Sequence, residues 1–222
     1  MLFVDHGILR LLYLNRHRLG QCSWRSAQPA PHQIRALARR GLRTIVNLRG
    51  ARECGSYRLE KMACERYGIV LVNFKVSSRQ APTREEIRAA AELFERIEYP
   101  MLLHCKSGAD RTGLIGALYR ILKEGEAPLD ARRELSVRFG HWHWSDAGIL
   151  DLFFHSYIED NKRRPISFLV WVDTVYDPAE LQARFRALSR RRRSARRMSQ
   201  TPEGCRPEGR RQTRSERVRT LA

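Results

Sequence analysis

The sequence predicts an α/β fold, with a short, mostly parallel central sheet flanked by helices and a helical C-terminal half. Three observations predict it. Compact apolar runs recur at RTIVNLRG (43–50), IVLVNF (69–74) and MLLH (101–104), and short runs of this kind bounded by turn residues read as buried strands. Helical patterns of 10–15 residues separate them, as right-handed βαβ units require. Beyond Gly125 the strand signals stop and apolar residues recur only at helical spacing.

Taken in order, residues 1–20 have an apolar flavour interrupted early by Asp5, His6 and Arg10. They are too short and too charged for a secretion signal or a membrane span, and are expected to form an amphipathic extension packing on the core. QCSWRSAQ (21–28) is a candidate edge strand. PHQIRALARRG (31–41) opens a helix with Pro31 at its first position and closes it on Gly41. A second helix is expected from about Ser56 to Tyr67, stopped by Gly68. Thr83 and Glu86 form a capping box, and the helix behind them sets Ile87, Ala90, Ala91, Phe94 and Ile97 along one face until Pro100. Another helix is expected from Thr112 to Glu124, then Leu129–Phe139, Gly148–Asn161 and Pro178–Ser189, with HWHW (141–144) in a loop. From about Arg190 no apolar periodicity remains, and 190–222 reads as a disordered Arg-rich tail.

Composition narrows the function classes. A chain of 222 residues with 42% hydrophobic residues supports one domain with a full core. The net charge is +18, but residues 184–222 hold 14 Arg against 3 Glu, which leaves +7 on the rest. The excess therefore belongs to the tail, where weak electrostatic contact with an anionic membrane or nucleic acid is the expected partner chemistry. The five cysteines are irregularly spaced with no CxxC pair, so a reducing cytoplasm is expected rather than a disulfide framework or a zinc site. HWHW without carboxylate or cysteine company is a weak metal signal. Its tryptophans are expected to pack beneath the sheet and its histidines to be surface or capping groups. Neither metal nor cofactor is expected.

The chemistry is concentrated in 101–115, MLLHCKSGADRTGLI. A strand ends at His104, the loop CKSGADR follows, and a helix begins. In a parallel sheet, ligands bind outside the carboxyl ends of the strands, and a loop entering a helix N-terminus aims backbone N–H groups at an anion. Gly108 lets the loop turn with positive φ, and Arg111 adds a planar fork for two phosphate oxygens. The loop residues Lys106, Ser107, Gly108 and Ala109, with Thr112, complete a phosphate cradle. Cys105 sits at its base, where a helix N-terminus and a guanidinium favour the thiolate. Attack on phosphorus would form a phosphocysteine that water then hydrolyses. The hydroxyl of Ser107 or Thr112 can then assist the departing sulfur, and His104 is expected to orient the loop.

HCKSGADRTG resembles the phosphate loop of the protein tyrosine and dual-specificity phosphatase superfamily. WRSAQP (24–29), TIVNLRG (44–50) and the block GHWHW…GILDLFFHSY (140–157) are similar to its compact bacterial branch. The resemblance implies that 21–189 is a catalytic domain of the cysteine phosphatase fold. It also implies a metal-independent phosphomonoesterase acting on phosphotyrosine or broader phosphoprotein substrates. Most of that superfamily takes its proton donor from an aspartate on a loop upstream of the cysteine, yet FKVSSRQAPTREE (74–86) has none. Relatives with an aspartate at the position of Asp110 use it as the acid, so Asp110 becomes the candidate, with Glu85 and Glu86 behind it. The rival role for Asp110 is structural, capping the helix or pinning Arg111.

Lys106 resembles the lysine beside the nucleophile in phosphoinositide phosphatases, and Arg49 and Arg79 can widen a positive rim. A phospholipid or RNA 5′-phosphatase therefore stays open beside the protein phosphatase, and a non-catalytic phosphate-binding module beside both.

Overall fold

The computed structural model describes residues 14–199, and of 195–199 the backbone only. Five strands, β1 (His17–Gly20), β2 (Ser23–Ser26), β3 (Thr44–Asn47), β4 (Val70–Asn73) and β5 (Met101–His104), form one sheet in the order β1-β2-β5-β3-β4. Among the described strands only the β1–β2 pair is antiparallel. Among the described residues eight helices accompany it: α1 (Pro31–Ala38), α2 (Gly55–Arg66), α3 (Arg84–Arg96), α4 (Asp110–Leu122), α5 (Pro128–Ala131), α6 (Ile149–Arg163), α7 (Phe168–Thr174) and α8 (Pro178–Ser199). This is the mostly parallel α/β architecture expected from the spacing of strands and helices.

Local chemistry explains the starts of the elements. Pro31 begins α1, and Gln33 Oε1 accepts from the Ala30 N–H at 3.0 Å. The Thr83–Glu86 capping box closes in both directions, at 3.1 and 2.9 Å, satisfying two donors that a helix end otherwise leaves unpaired. α3 then buries Ile87, Ala90 and Phe94. Both β3 and β5 are buried at all four residues, because helices cover both faces of a parallel sheet. Alternate residues feed two cores: Val46, Leu103 and Cys105 lie in one, Ile45, Leu102 and Cys64 in the other.

The structure differs from the sequence reading at six places. His17–Gly20, grouped with the N-terminal extension, form β1, so β2 is interior rather than an edge; residues 1–13 of that extension lie outside the described residues. α4 starts at Asp110, two residues before Thr112. The single helix expected over 129–139 is instead α5 followed by two 3-10 turns, Arg132–Glu134 and Val137–Phe139. It breaks where the Glu134 carboxylate turns inward to Arg25 and Arg120. α7 was not foreseen, since seven residues give too little periodicity to separate from a loop, yet it buries Phe168, Trp171 and Val172.

The other two differences concern the tail and the tryptophans. α8 runs to Ser199, ten residues into the expected tail. Arginine and alanine are good helix formers, and no Gly or Pro interrupts before Pro202; residues 200–222 lie outside the described residues. Trp142 and Trp144 are exposed rather than packed beneath the sheet, and His141 is the buried member of that segment. Among the described residues, those up to Arg186 form one compact unit and those from Ala187 belong to a second.

Candidate active site

β5 is the central strand, and its last residue hands the chain directly to Cys105, 3% exposed. The loop from Cys105 to Ala109 is shaped from outside, through its carbonyls. His104 Nδ1 lies 3.1 Å from the Cys105 carbonyl, and since a carbonyl only accepts, Nδ1 carries the proton. The Gln28 N–H reaches the Lys106 carbonyl at 3.4 Å, and Asn15 Nδ2 donates to the Ser107 carbonyl at 2.9 Å. Arg25 Nη2 donates to the carbonyls of Gly108 and Ala109, at 2.6 and 3.3 Å. A trans peptide sets each C=O opposite the next residue's N–H, and Tyr99–Pro100 is the one cis bond among the described residues. The N–H groups of residues 106–110 therefore face away from these donors, into the hollow of the loop. Five convergent donors at the start of a helix make an anion cradle.

The donors are themselves held. Arg25 is fully buried, pairs with the Glu134 carboxylate, and donates to the Glu134 carbonyl at 2.8 Å. Its guanidinium stacks 3.9 Å from the centre of the Phe139 ring. Asn15 also donates to the Phe139 carbonyl at 2.9 Å. On the other side, His104 Nε2 stands 2.6 Å from Glu60 Oε1 with both side chains fully buried. Gln28 Nε2 donates to Glu60 Oε2 at 2.8 Å and its carbonyl accepts from Arg49. Gly108 has φ +75°, and a Cβ there would lie 2.6–2.7 Å from the backbone of Ser26 and Ala27. Only glycine fits that contact.

The candidate residues thus occupy one place in the fold. Cys105 is at the base, and Ala109 is buried beside it. Lys106 and Ser107 are exposed at the mouth. Arg111 and Thr112 stand in the first turn of α4, and among the described residues Arg111 Nε and Thr112 Oγ1 are buried without a hydrogen-bond partner. Buried polar atoms are normally satisfied, so these two are available to an anion. Glu86 is committed to its helix cap. Cys64 lies in the opposite core, where burial pushes its thiol up to about 12, and Cys22, Cys54, Cys64 and Cys105 are all free thiols.

Among the described residues Asp110, the first residue of α4, directs its side-chain bond to neither the helix end nor Arg111. Its Oδ1 lies 2.7 Å from His141 Nδ1, while His141 Nε2 lies 2.7 Å from Asp151 Oδ2. Burial alone lowers the His141 titration, but the hydrogen bonds to Asp110 and Asp151 outweigh it and raise it to about 9. His141 is therefore an imidazolium at neutral pH. The sequence singles out HWHW but suggests surface or capping histidines rather than a buried one, and it points to no role for Arg25, Asn15, Glu60, Glu134 or Asp151. Arg25 lay inside the WRSAQP stretch, which was a usable signal. The others carried none, because their partners are distant in the chain.

A family model described as DSP-PTPase phosphatase fused to NAD+ kinase matches residues 16–143. No curated protein matches the chain. Among solved structures, that of P. aeruginosa TpbA superposes with a TM-score of 0.51 at 22% identity, covering 65% of this chain and 91% of that one. A cysteine-to-serine variant of TpbA in complex with pTyr superposes with the same score and coverage at 21% identity. At this identity the likeness shows a shared fold.

Proposed function

The chain belongs to the family of DSP-PTPase phosphatases fused to NAD+ kinase, and on that premise we propose that it hydrolyses phosphomonoesters through a phosphocysteine at Cys105. One observation carries this reading: every carbonyl from Cys105 to Ala109 is drawn outward by a named donor, so the loop's amides converge over a buried cysteine. The same donors that hold three phosphate oxygens stabilise the thiolate and the charge that builds in the transition state. The Cys105 sulfur attacks phosphorus, and the ester oxygen leaves with a proton from Asp110. Water then gives its proton to the Asp110 carboxylate, its oxygen bonds phosphorus, and the thiolate departs with Thr112 or Ser107 donating to the sulfur. Arg111 supplies the bidentate fork.

Phosphotyrosine or a broader phosphoprotein comes first as substrate, in keeping with the pTyr complex of the fold neighbour. Lys106, exposed beside the nucleophile, favours one second reading, a phosphoinositide whose additional phosphate it would meet. Four free thiols among the described residues fit a reducing, cytoplasmic setting, and no helix there is long and apolar enough to cross a membrane. The test is p-nitrophenyl phosphate turnover by the wild type and Cys105→Ser in chelator, from acid to neutral pH. Activity that resists chelator and disappears with the serine is the expected result; activity retained by the serine variant refutes the mechanism. Turnover of phosphotyrosine peptide against phosphoinositide then ranks the substrates.

A further inference from the structure

His141 is 1% exposed, whereas the side chains it bridges, Asp110 and Asp151, are 33% and 30% exposed. Three separate elements converge on it: Asp110 from the start of α4, Asp151 from the first turn of α6, and the loop between them that carries the imidazole. A carboxyl group turns easily about its last torsion, so an unheld Asp110 would offer its oxygens in any direction. We infer that His141 is the positioning residue for the acid of this reaction, fixing Asp110 through Oδ1 so that its outer oxygen faces the leaving group, with Asp151 holding the imidazole in turn. The inference rests on the reading of Asp110 as the proton donor.

The geometry assigns distinct work to each oxygen. His141 Nδ1–H donates to Oδ1 throughout. Oδ2 carries the proton that passes to the ester oxygen as the P–O bond breaks, leaving Asp110 a carboxylate against an imidazolium. In the second half the same Oδ2 takes a proton from water as its oxygen attacks phosphorus, which restores the neutral acid. The imidazolium keeps both its protons in both halves. Its positive charge stabilises the carboxylate formed between the two steps, as a buried, hydrogen-bonded counter-charge does. The charged groups that face His141 are Asp110 from α4 and Asp151 from α6. Asp151 bonds the ring nitrogen remote from Asp110, and so acts only through the imidazole.

Leaving-group dependence separates this role from a structural one. An aryl phosphate with an acidic leaving group needs little protonation, whereas phenyl phosphate needs it fully. His141→Asn is expected to lose less than ~3-fold in kcat on p-nitrophenyl phosphate and ~30-fold on phenyl phosphate, with KM little changed, since acid catalysis contributes roughly 10²–10⁴-fold. Asp110→Asn should show the same selectivity with a larger loss. Asp151→Asn should show it with a smaller one, and serves as the readout should His141→Asn fail to fold.

Equal losses on both substrates in His141→Asn would overturn the inference and leave His141 a packing residue. If Asp110→Asn shows selectivity and neither His141→Asn nor Asp151→Asn does, only this inference falls. If Asp110→Asn shows none, the acid assignment falls with it.

Discussion

The loop at 105–109 and the segment at 140–148 both lead into a helix, and they are built in opposite ways. The first is made, apart from Lys106, of small residues whose carbonyls are held by side chains and a backbone amide at 15, 25, 28 and 104, with the Cys105 sulfur buried. The second folds on itself: the Ser145 N–H reaches the Trp142 carbonyl, the Ala147 N–H reaches Ser145 Oγ, and the Gly148 N–H reaches the Ser145 carbonyl, all at 3.0–3.1 Å. It exposes two tryptophans whose rings lie 4.9 Å apart, and sends a single ionisable side chain, His141, inward. One loop has its shape imposed so that its backbone can bind. The other keeps its own shape and contributes one proton-bearing group.

If that contrast is right, the largest effect comes from the support of the first loop. Arg25→Ala leaves buried acceptors at Glu134, Gly108 and Ala109, and breaking a buried pair of this kind costs ~3–5 kcal/mol. Urea titration should show that loss together with a fall in kcat/KM; full activity with unchanged stability would mean the loop holds its shape alone.

Next is the titration of His141. Its folded value of about 9 lies above its ordinary 6.5, so its contribution is fully present below about pH 6.5 and is lost as pH rises through about 9. The difference amounts to ~3 kcal/mol. Wild-type stability should decline across that window, and His141→Asn should show a flat profile there. An equal decline in the variant would assign the pH dependence elsewhere.

Gly108→Ala follows, because its Cβ meets the Ser26 and Ala27 backbone and its φ is positive. About 1–3 kcal/mol of strain and weaker binding of inorganic phosphate are expected, read by thermal melts and by inhibition constants. The smallest effect belongs to Trp142→Ala and Trp144→Ala. Both are half-exposed, so stability should move by no more than ~0.5 kcal/mol. A larger loss would show that the ring pair, rather than the backbone turns, holds the segment.

The same contrast explains what the sequence disclosed. Strands β3, β4 and β5 and helices α1 to α4 were legible because periodicity, Pro31, the Thr83 cap and terminal glycines are local signals. The Cys105–Arg111 spacing was legible for the same reason, since an anion cradle at a helix start is assembled from consecutive residues. What escaped depends on partners far along the chain. Glu134 broke an expected helix only because Arg25, 109 residues earlier, lies beneath it. His141 stands 31 residues from Asp110, inside a run whose tryptophans suggested burial of the wrong side chains. Strand β2 was legible within 21–28, but its partner β1 was not, because HRLG carries no β-branched residue and no apolar run.

The central expectation is that the Cys105 Sγ takes the phosphoryl group. The direct measurement is a rapid denaturing quench of the enzyme during p-nitrophenyl phosphate turnover in chelator, followed by phosphorus NMR and mass spectrometry of the peptide that carries Cys105. A phosphorus–sulfur adduct on Cys105 that accumulates in Asp110→Asn and is absent from Cys105→Ser is the expected result. Turnover without any adduct, or an adduct on another side chain, would contradict it.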